Sequence, residues 1–303
     1  MAKGDVTFSQ DYNEACTVEQ VDGTKQRALH VVSDTLPYLN VGQDFFLKVN
    51  QGLVPGHSVV DKFGVNKALT PSTDPEDLWE FGGLYNYDAD GTAPIVSIVS
   101  DSASDTEPIE IQGLDIDGNL VTQTITLNGT TSVALTTALW RCFRMGNVGS
   151  NYLLGTVYVY AGTSPVPANA DVRAIIDAEH GQTLMALYTI PKGKVAFLYR
   201  GELGVGLEGN SASLAEYAHC HYESRRFGKT FRVKKAITCM VGGNAVYQDK
   251  RSFPDIVPSL TDIKLKIIEV TQNMGMWGTF DLLLIDEDLF PTEYLVAIGQ
   301  PGY

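Results

Sequence analysis

Ile109-Glu110-Ile111-Gln112-Gly113-Leu114-Asp115-Ile116 runs into Asp117-Gly118-Asn119 and out through Leu120-Val121-Thr122-Gln123-Thr124-Ile125-Thr126-Leu127. Apolar and polar residues alternate on both sides of an Asp-Gly pair. A period of two puts successive side chains on opposite faces of a strand, and Asp-Gly tolerates the positive φ that a tight reversal needs. The stretch predicts an antiparallel hairpin. Asn128-Gly129 marks a second turn, leading to residues 132–141 with Trp140 and then to residues 156–160; residues 95–99 form a further strand ahead of the hairpin. Together these predict a small antiparallel module of about four to six strands.

Beyond a Pro-rich linker at residues 164–169 the same pattern resumes. Residues 184–190 and 195–203 flank the turn Pro191-Lys192-Gly193-Lys194, and further alternating runs lie at 230–233, 236–241, 245–249, 263–270 and 279–285. Strands of this spacing punctuated by turn residues predict a sandwich or jelly roll. Residues 213–226 read two ways. Ser213 and Glu216 form a capping box with Leu214, Tyr217, Ala218, His221 and Tyr222 at helical spacing, but the same residues alternate as a strand, which the β-rich surroundings favour.

Residues 1–93 differ. Short apolar patches at 29–32, 45–49 and 59–63 are broken by Pro37, Gly42, Gly52, Pro55, Gly56, Pro71 and Pro75, and none is long enough to show a helical period. They predict an extended arm with edge strands, ending in a long loop with aromatic anchors at 71–91. The expected fold is all-β: an arm over 1–93, a small antiparallel module over 94–165 and a jelly-roll-like sandwich module over 166–303. Deleting the arm to about Thr70 is expected to leave a β core.

The 303 residues are 44% hydrophobic and 19% charged, a balance that folds. The formal net charge is -14, so the field repels phosphate backbones and nucleic acid is not an expected partner. The N-terminus carries no apolar signal-type run, and no stretch approaches a membrane span, so no membrane partner is expected. Cys16, Cys142, Cys220 and Cys239 are scattered, as buried reduced thiols would be.

Chemistry-bearing motifs are weak. Gly204-x-Gly206-x-x-Gly209 matches a dinucleotide fingerprint, but the following segment supplies no acidic residue, and a glycine-rich hairpin fits better. Phe227-Gly228-Lys229-Thr230 lacks the earlier glycine of a phosphate loop, since Glu223 stands there. His219-Cys220-His221 places two imidazoles on one strand face without a third ligand. Asp101-x-x-x-Asp105 and Asp115-x-Asp117-Gly118-Asn119 match calcium loops only faintly, the glycine standing two positions early and the closing glutamate being absent, and the hairpin turn explains the second better. No Gly-x-Ser-x-Gly elbow is present, so no enzyme activity, cofactor or metal is expected. Trp79, Tyr85, Tyr87, Trp140, Tyr158 and Tyr160 offer a carbohydrate-stacking alternative to core packing. The sharper candidate is an interface. Arg225, Arg226 and Lys229, with Arg232, Lys234 and Lys235, concentrate positive charge within eleven residues of an acidic chain and suit an acidic protein surface, the acidic complement in the chain itself being Asp286-Glu287-Asp288; Trp79 and Tyr85 are the candidate aromatic anchors.

Val54-Pro55-Gly56-His57-Ser58-Val59-Val60-Asp61-Lys62-Phe63-Gly64-Val65-Asn66, followed by Glu76-Asp77-Leu78-Trp79-Glu80 and Gly82-Gly83-Leu84-Tyr85, resembles virion structural proteins of tailed, marine-type bacteriophages. The closing Thr261-Asp262-Ile263-Lys264 and Gly278-Thr279-Phe280-Asp281 extend that resemblance over roughly residues 40–300. It implies a non-enzymatic particle component, assembled in the bacterial host cytoplasm and located in the virion. The expected role is a capsid decoration or cement protein, a homo-oligomer (dimer or trimer) that binds the major capsid protein or other virion proteins through its arm and β surfaces. A neck, tail or fibre component, contacting host surface or carbohydrate, is the alternative. The lack of a long helix argues against the major shell protein itself.

Overall fold

The computed structural model describes residues 17–19, 25–27, 45–71, 75–178, 180–207, 216–241 and 246–290, with the side chains of 17–19, 25–27, 207 and 250–254 left undescribed. The chain divides into Met1–Gln51 and Gly52–Tyr303. In the first unit, β1 (Thr17–Glu19) and β2 (Lys25–Arg27) pair antiparallel, and α1 spans Phe45–Asn50. That helix corrects the strand expected at 45–49. The Gln51 amide donates to Leu47 O at 3.1 Å and Gly52, at φ +71°, ends the turn; six residues are too few to display a period. The patch at 29–32 lies outside the described residues.

In the second unit every pairing among the described strands is antiparallel. Its strands are β3 (His57–Leu69), β4 (Glu76–Asp77), β5 (Ile95–Ser100), β6 (Pro108–Leu114), β7 (Leu120–Thr126), β8 (Val133–Leu139), β9 (Arg141–Asn147), β10 (Val157–Ala161) and β11 (Val172–Ile176). They continue with β12 (Leu187–Thr189), β13 (Lys194–Leu207), β14 (Tyr217–Arg226), β15 (Arg232–Met240), β16 (Val246–Val257), β17 (Thr261–Val270) and β18 (Met274–Asp286). The expected hairpin is β6–β7, in register from Pro108↔Thr126 to Leu114↔Leu120. Gly118 takes φ +82°, and Asp115 Oδ1 accepts from the amides of Asp117 and Asn119, each at 2.9 Å. Residues 217–226 form a strand, with β17 and β15 as its neighbours.

Two sheets, β11-β10-β5-β8 and β7-β6-β9, enclose a first core of Ile95, Ile109, Ile111, Leu139, Val157 and Ile176. Gln123 of β7 bridges to β8 with its side chain, donating to Thr137 O and accepting from Thr137 N, both at 2.9 Å. Two further sheets, β12-β17-β14-β15 with β4 beside β17, and β16-β13-β18-β3, enclose a second core that includes Tyr222, Leu265, Phe280 and Leu282. Alternation ties the two cores together, because Leu139 faces the first and its neighbour Trp140 the second.

Two expected boundaries shift. Residues 52–93 belong to the body: β3 pairs with β18 along nearly its whole length, from Leu69↔Met274 to His57↔Ile285. A deletion to Thr70 would therefore strip an edge strand from the second core, and the truncation that respects the fold ends at Gln51. The break expected near 165 falls later, since β11 completes the first sheet through Val157↔Ile176, and Met185 and Leu187 fill the first core.

The nucleotide-like glycines lie within β13. Gly204 faces Trp277, whose ring atoms would stand 2.3 Å from any Cβ there. The glycine makes room for an indole; Gly209 lies outside the described residues.

Candidate functional site

The strap from Glu76 to Asp90 runs across both cores. Trp79 and Tyr85, expected at an interface, are instead 2% and 6% exposed in the first core. Trp79 Nε1 donates to Gly83 O at 3.0 Å and the Tyr85 hydroxyl to Cys142 O at 3.2 Å, so their polar ends are satisfied internally. The rings of Trp79, Tyr85, Tyr87 and Phe231 follow one another at centroid separations of 5.2, 4.7 and 4.9 Å. With Trp140 and Tyr160 also buried, the rings considered for carbohydrate stacking are mostly core.

At the end of the strap lies a buried charge network that no linear motif announces. Arg141, at the start of β9, is 2% exposed in its side chain, as is Asp262 of β17. Their fork is bidentate: Nε to Oδ1 at 3.0 Å and an Nη to Oδ2 at 3.2 Å. Arg141 also donates to Asp88 O at 3.0 Å and to Asp90 Oδ1 at 3.2 Å. Asp262 further accepts from Thr189 Oγ1 at 2.6 Å and from Arg225 Nε at 2.9 Å. Arg173 of β11 grips Asp88 with a second fork, at 2.8 and 2.6 Å. Three guanidiniums thus face three carboxylates. Tyr87 lies beside them, its centroid 5.3 Å from the guanidinium carbons of both Arg141 and Arg225. Behind it Lys264 pairs with Asp77 at 2.7 Å, both nearly inaccessible. Burial pushes the Asp77 carboxyl above its ordinary range, and the Lys264 ammonium opposes that shift. Such a network adds little net stability, because desolvation cancels much of the attraction; it joins β9, at the first core, to β14 and β17, at the second.

The basic cluster therefore splits. Arg225 is drawn into the network with its side chain 15% exposed. Lys235 pairs with Asp249 at 2.7 Å, and Arg226 is half-buried. Lys229, Arg232 and Lys234 are exposed, on the turn after β14 and on β15. The acidic partners are Asp262, Asp90 and Asp249, not the expected Asp286-Glu287-Asp288 run, whose Asp286 pairs with Lys194. Among the described strands β15 pairs with β14 alone, and its outward residues include Arg232, Val233 and Lys234. An exposed edge can pair with another chain, and basic side chains on it restrict which one.

The remaining candidates are structural. His219 and His221 share a face of β14 at 5.2 Å between rings, while Cys220 points into the core. Asp105 is buried and accepts from the amides of Leu154 and Gly155 at 2.9 and 3.0 Å. Cys142, Cys220 and Cys239 are buried free thiols; Cys16 lies outside the described residues.

A shallow depression on the outer face of the β3-β18-β13 sheet is lined by Val59, Asp61, Tyr199, Arg200, Thr279 and Asp281. Asp61 and Asp281 are cross-strand partners. Burial, then the facing Asp61 charge, raises Asp281 to about 6. An unfolded aspartate releases its proton near 4, so folding takes up a proton between about pH 4 and 6 and this group's contribution weakens as pH rises through that window. Asp281→Asn is expected to raise the urea midpoint relative to wild type at pH 7 and to lose that advantage by pH 4.5. A difference that stays constant from pH 4.5 to 7 would refute the assignment.

No family model matches this chain, and no curated protein matches it. Among solved structures, the infectious bursal disease virus VP2 subviral particle is similar over 78% of this chain and 74% of that chain, at 12% identity and a TM-score of 0.21. The structure of the Gx strain of that virus covers the same shares at 10% identity and a TM-score of 0.23. PBSX exported protein XepA is similar over 93% of this chain and all of that chain, at 12% identity and a TM-score of 0.16. Similarity this low carries no argument.

Proposed function

We propose that this chain is a non-enzymatic structural protein of a tailed-bacteriophage virion, working as a capsid decoration or cement protein. One observation carries the reading: the segments that resemble such proteins converge on a single architectural point. Gly64 of β3 pairs with Gly278 of β18, and a Cβ on either would strike Leu78 of the strap. Asn66 donates to Glu76 at 2.8 Å and Tyr85 N to Asp77 at 2.9 Å. The resembling residues thus build a rigid body, which suits a protein whose work is contact. In this reading the partner is the major capsid protein or a second copy of the chain, met through the basic edge of β15 and the first 51 residues.

The test is cryo-electron microscopy of particles assembled with this chain and with a variant in which Lys229, Arg232 and Lys234 are changed to Glu. Regular copies over the shell, thinned in the variant, are the expected result. Density only at the unique vertex would move the role to neck or tail, and absence from particles would overturn the reading.

A further inference from the structure

Among the described residues, three ligand-type side chains converge at one place: Glu80, Asp177 and His180 each offer an atom within 4.8 Å of the other two. We propose that they form a divalent-metal site of the zinc class, clasping the strap to the loop after β11.

Glu80 lies in the strap just past β4, its amide donating to Leu184 O at 3.1 Å, next to the bridge between Trp79 and Met185. The His180 amide donates to Asp177 O at 3.0 Å, and the Asn147 amide fixes Gly181 O at 2.8 Å. Both ligand-bearing segments are therefore pinned by backbone bonds before any ion enters. Asp177 Oδ1 is oriented by the Thr156 hydroxyl at 3.2 Å and the Ala178 amide at 3.1 Å, the outer-shell support that ligating carboxylates receive.

The Glu80 side chain is 5% exposed. Its Oε2 and the Nδ1 of His180 are buried, and neither has a hydrogen-bond partner. Nδ1 lies 2.9 Å from Glu80 Oε1 but off the line of a hydrogen bond. Unpaired buried polar atoms are costly, and a shared cation would satisfy both. Two carboxylates and a neutral imidazole balance a divalent charge. One nitrogen and two oxygens suit zinc over calcium, which takes six to eight oxygens. Lys67 Nζ sits 3.4 Å from Glu80 Oε1 on a side chain 58% exposed, where it can swing into water as the ion binds.

The experiment takes the full chain, stripped with EDTA, and titrates zinc by calorimetry with thermal unfolding in parallel. One equivalent should bind, and Tm should rise by roughly 5–10 °C with free zinc a hundredfold above Kd. His180→Ala and Asp177→Asn should each lose the heat and the shift, while the double change of His219 and His221 to Ala should keep both. Should the site variants fail to fold in EDTA, NMR of the wild-type histidine rings decides: zinc should move the His180 resonances and leave those of His219 and His221 in place. No stoichiometric binding, or binding that follows His219 and His221, overturns the proposal. Either result leaves the virion reading standing, since that rests on particle occupancy.

Discussion

Asp262→Ala is expected to cost about 3–5 kcal/mol of stability, the usual result of removing one partner from a buried ion pair. For a body of this size that corresponds to a fall in Tm of roughly 6–20 °C. Asp262 is the common acceptor of Arg141, Arg225 and Thr189, so its loss leaves the Arg141 guanidinium inside the protein with Asp90 as its remaining carboxylate. Asp262→Asn should lose most of that stability too, because the amide keeps the shape but not the charge. A double change, Arg141→Met with Asp262→Leu, should recover only part of the loss, because it removes the buried guanidinium of Arg141 but leaves Arg225 with Asp90 as its one carboxylate. Equilibrium urea unfolding of the four proteins is the measurement. A loss under about 1 kcal/mol for Asp262→Ala, the range of an exposed pair, would show that water reaches the network.

Gly64→Ala is the second large effect. The Ala186 amide donates to Leu78 O at 2.9 Å, and a Cβ on Gly64 would lie 2.4 Å from both atoms of that bond. The strap would have to lift. Overpacking together with a broken buried hydrogen bond costs about 2–5 kcal/mol. Gly206→Ala is the matched control, because nothing lies within 4 Å of its Cβ position and its φ is not positive; it should be neutral or stabilise by up to about 1 kcal/mol. Similar losses for the two variants would mean that strand glycines matter for a reason other than the strap's approach.

Both sites show what period and turn chemistry reveal and what they hide. The β6–β7 hairpin was legible because each strand has one core face and the turn has its Asp-Gly pair. The strand at 217–226 was legible only through its neighbours. In β3 the pattern misleads: Lys62, Gly64 and Asn66 face inward while Phe63 and Val65 are half-exposed. The polar residues take the buried face because Lys62 reaches Phe143 O and Asn66 reaches Glu76, so the sequence shows only a short apolar patch at 59–63 and the segment reads as arm. The burial of Arg225 is hidden in the sequence for a related reason. Its acidic partners lie 37 and 135 residues away, and no linear window contains them. Arg141 and Arg173 did leave a trace, each interrupting an apolar run, Leu139-Trp140 before one and Val172 and Ala174 around the other. A charge inside such a run is costly unless paired, so each implied a buried carboxylate.

The strap also sets a clock on biosynthesis. Asp90 is made early, yet its partner Arg225 follows 135 residues later, and Asp262, the second carboxylate that Arg141 and Arg225 hold, 172 residues later. At ribosomal speeds of about 5–20 residues per second, Asp262 emerges roughly 10–35 s after Asp90. For that interval Trp79, Tyr85 and Tyr87 have a first core to enter but no second core to lock against. The nascent chain must shelter those rings until its last strands appear, which makes this the period in which a chaperone or an early proteolytic cut has most influence on yield.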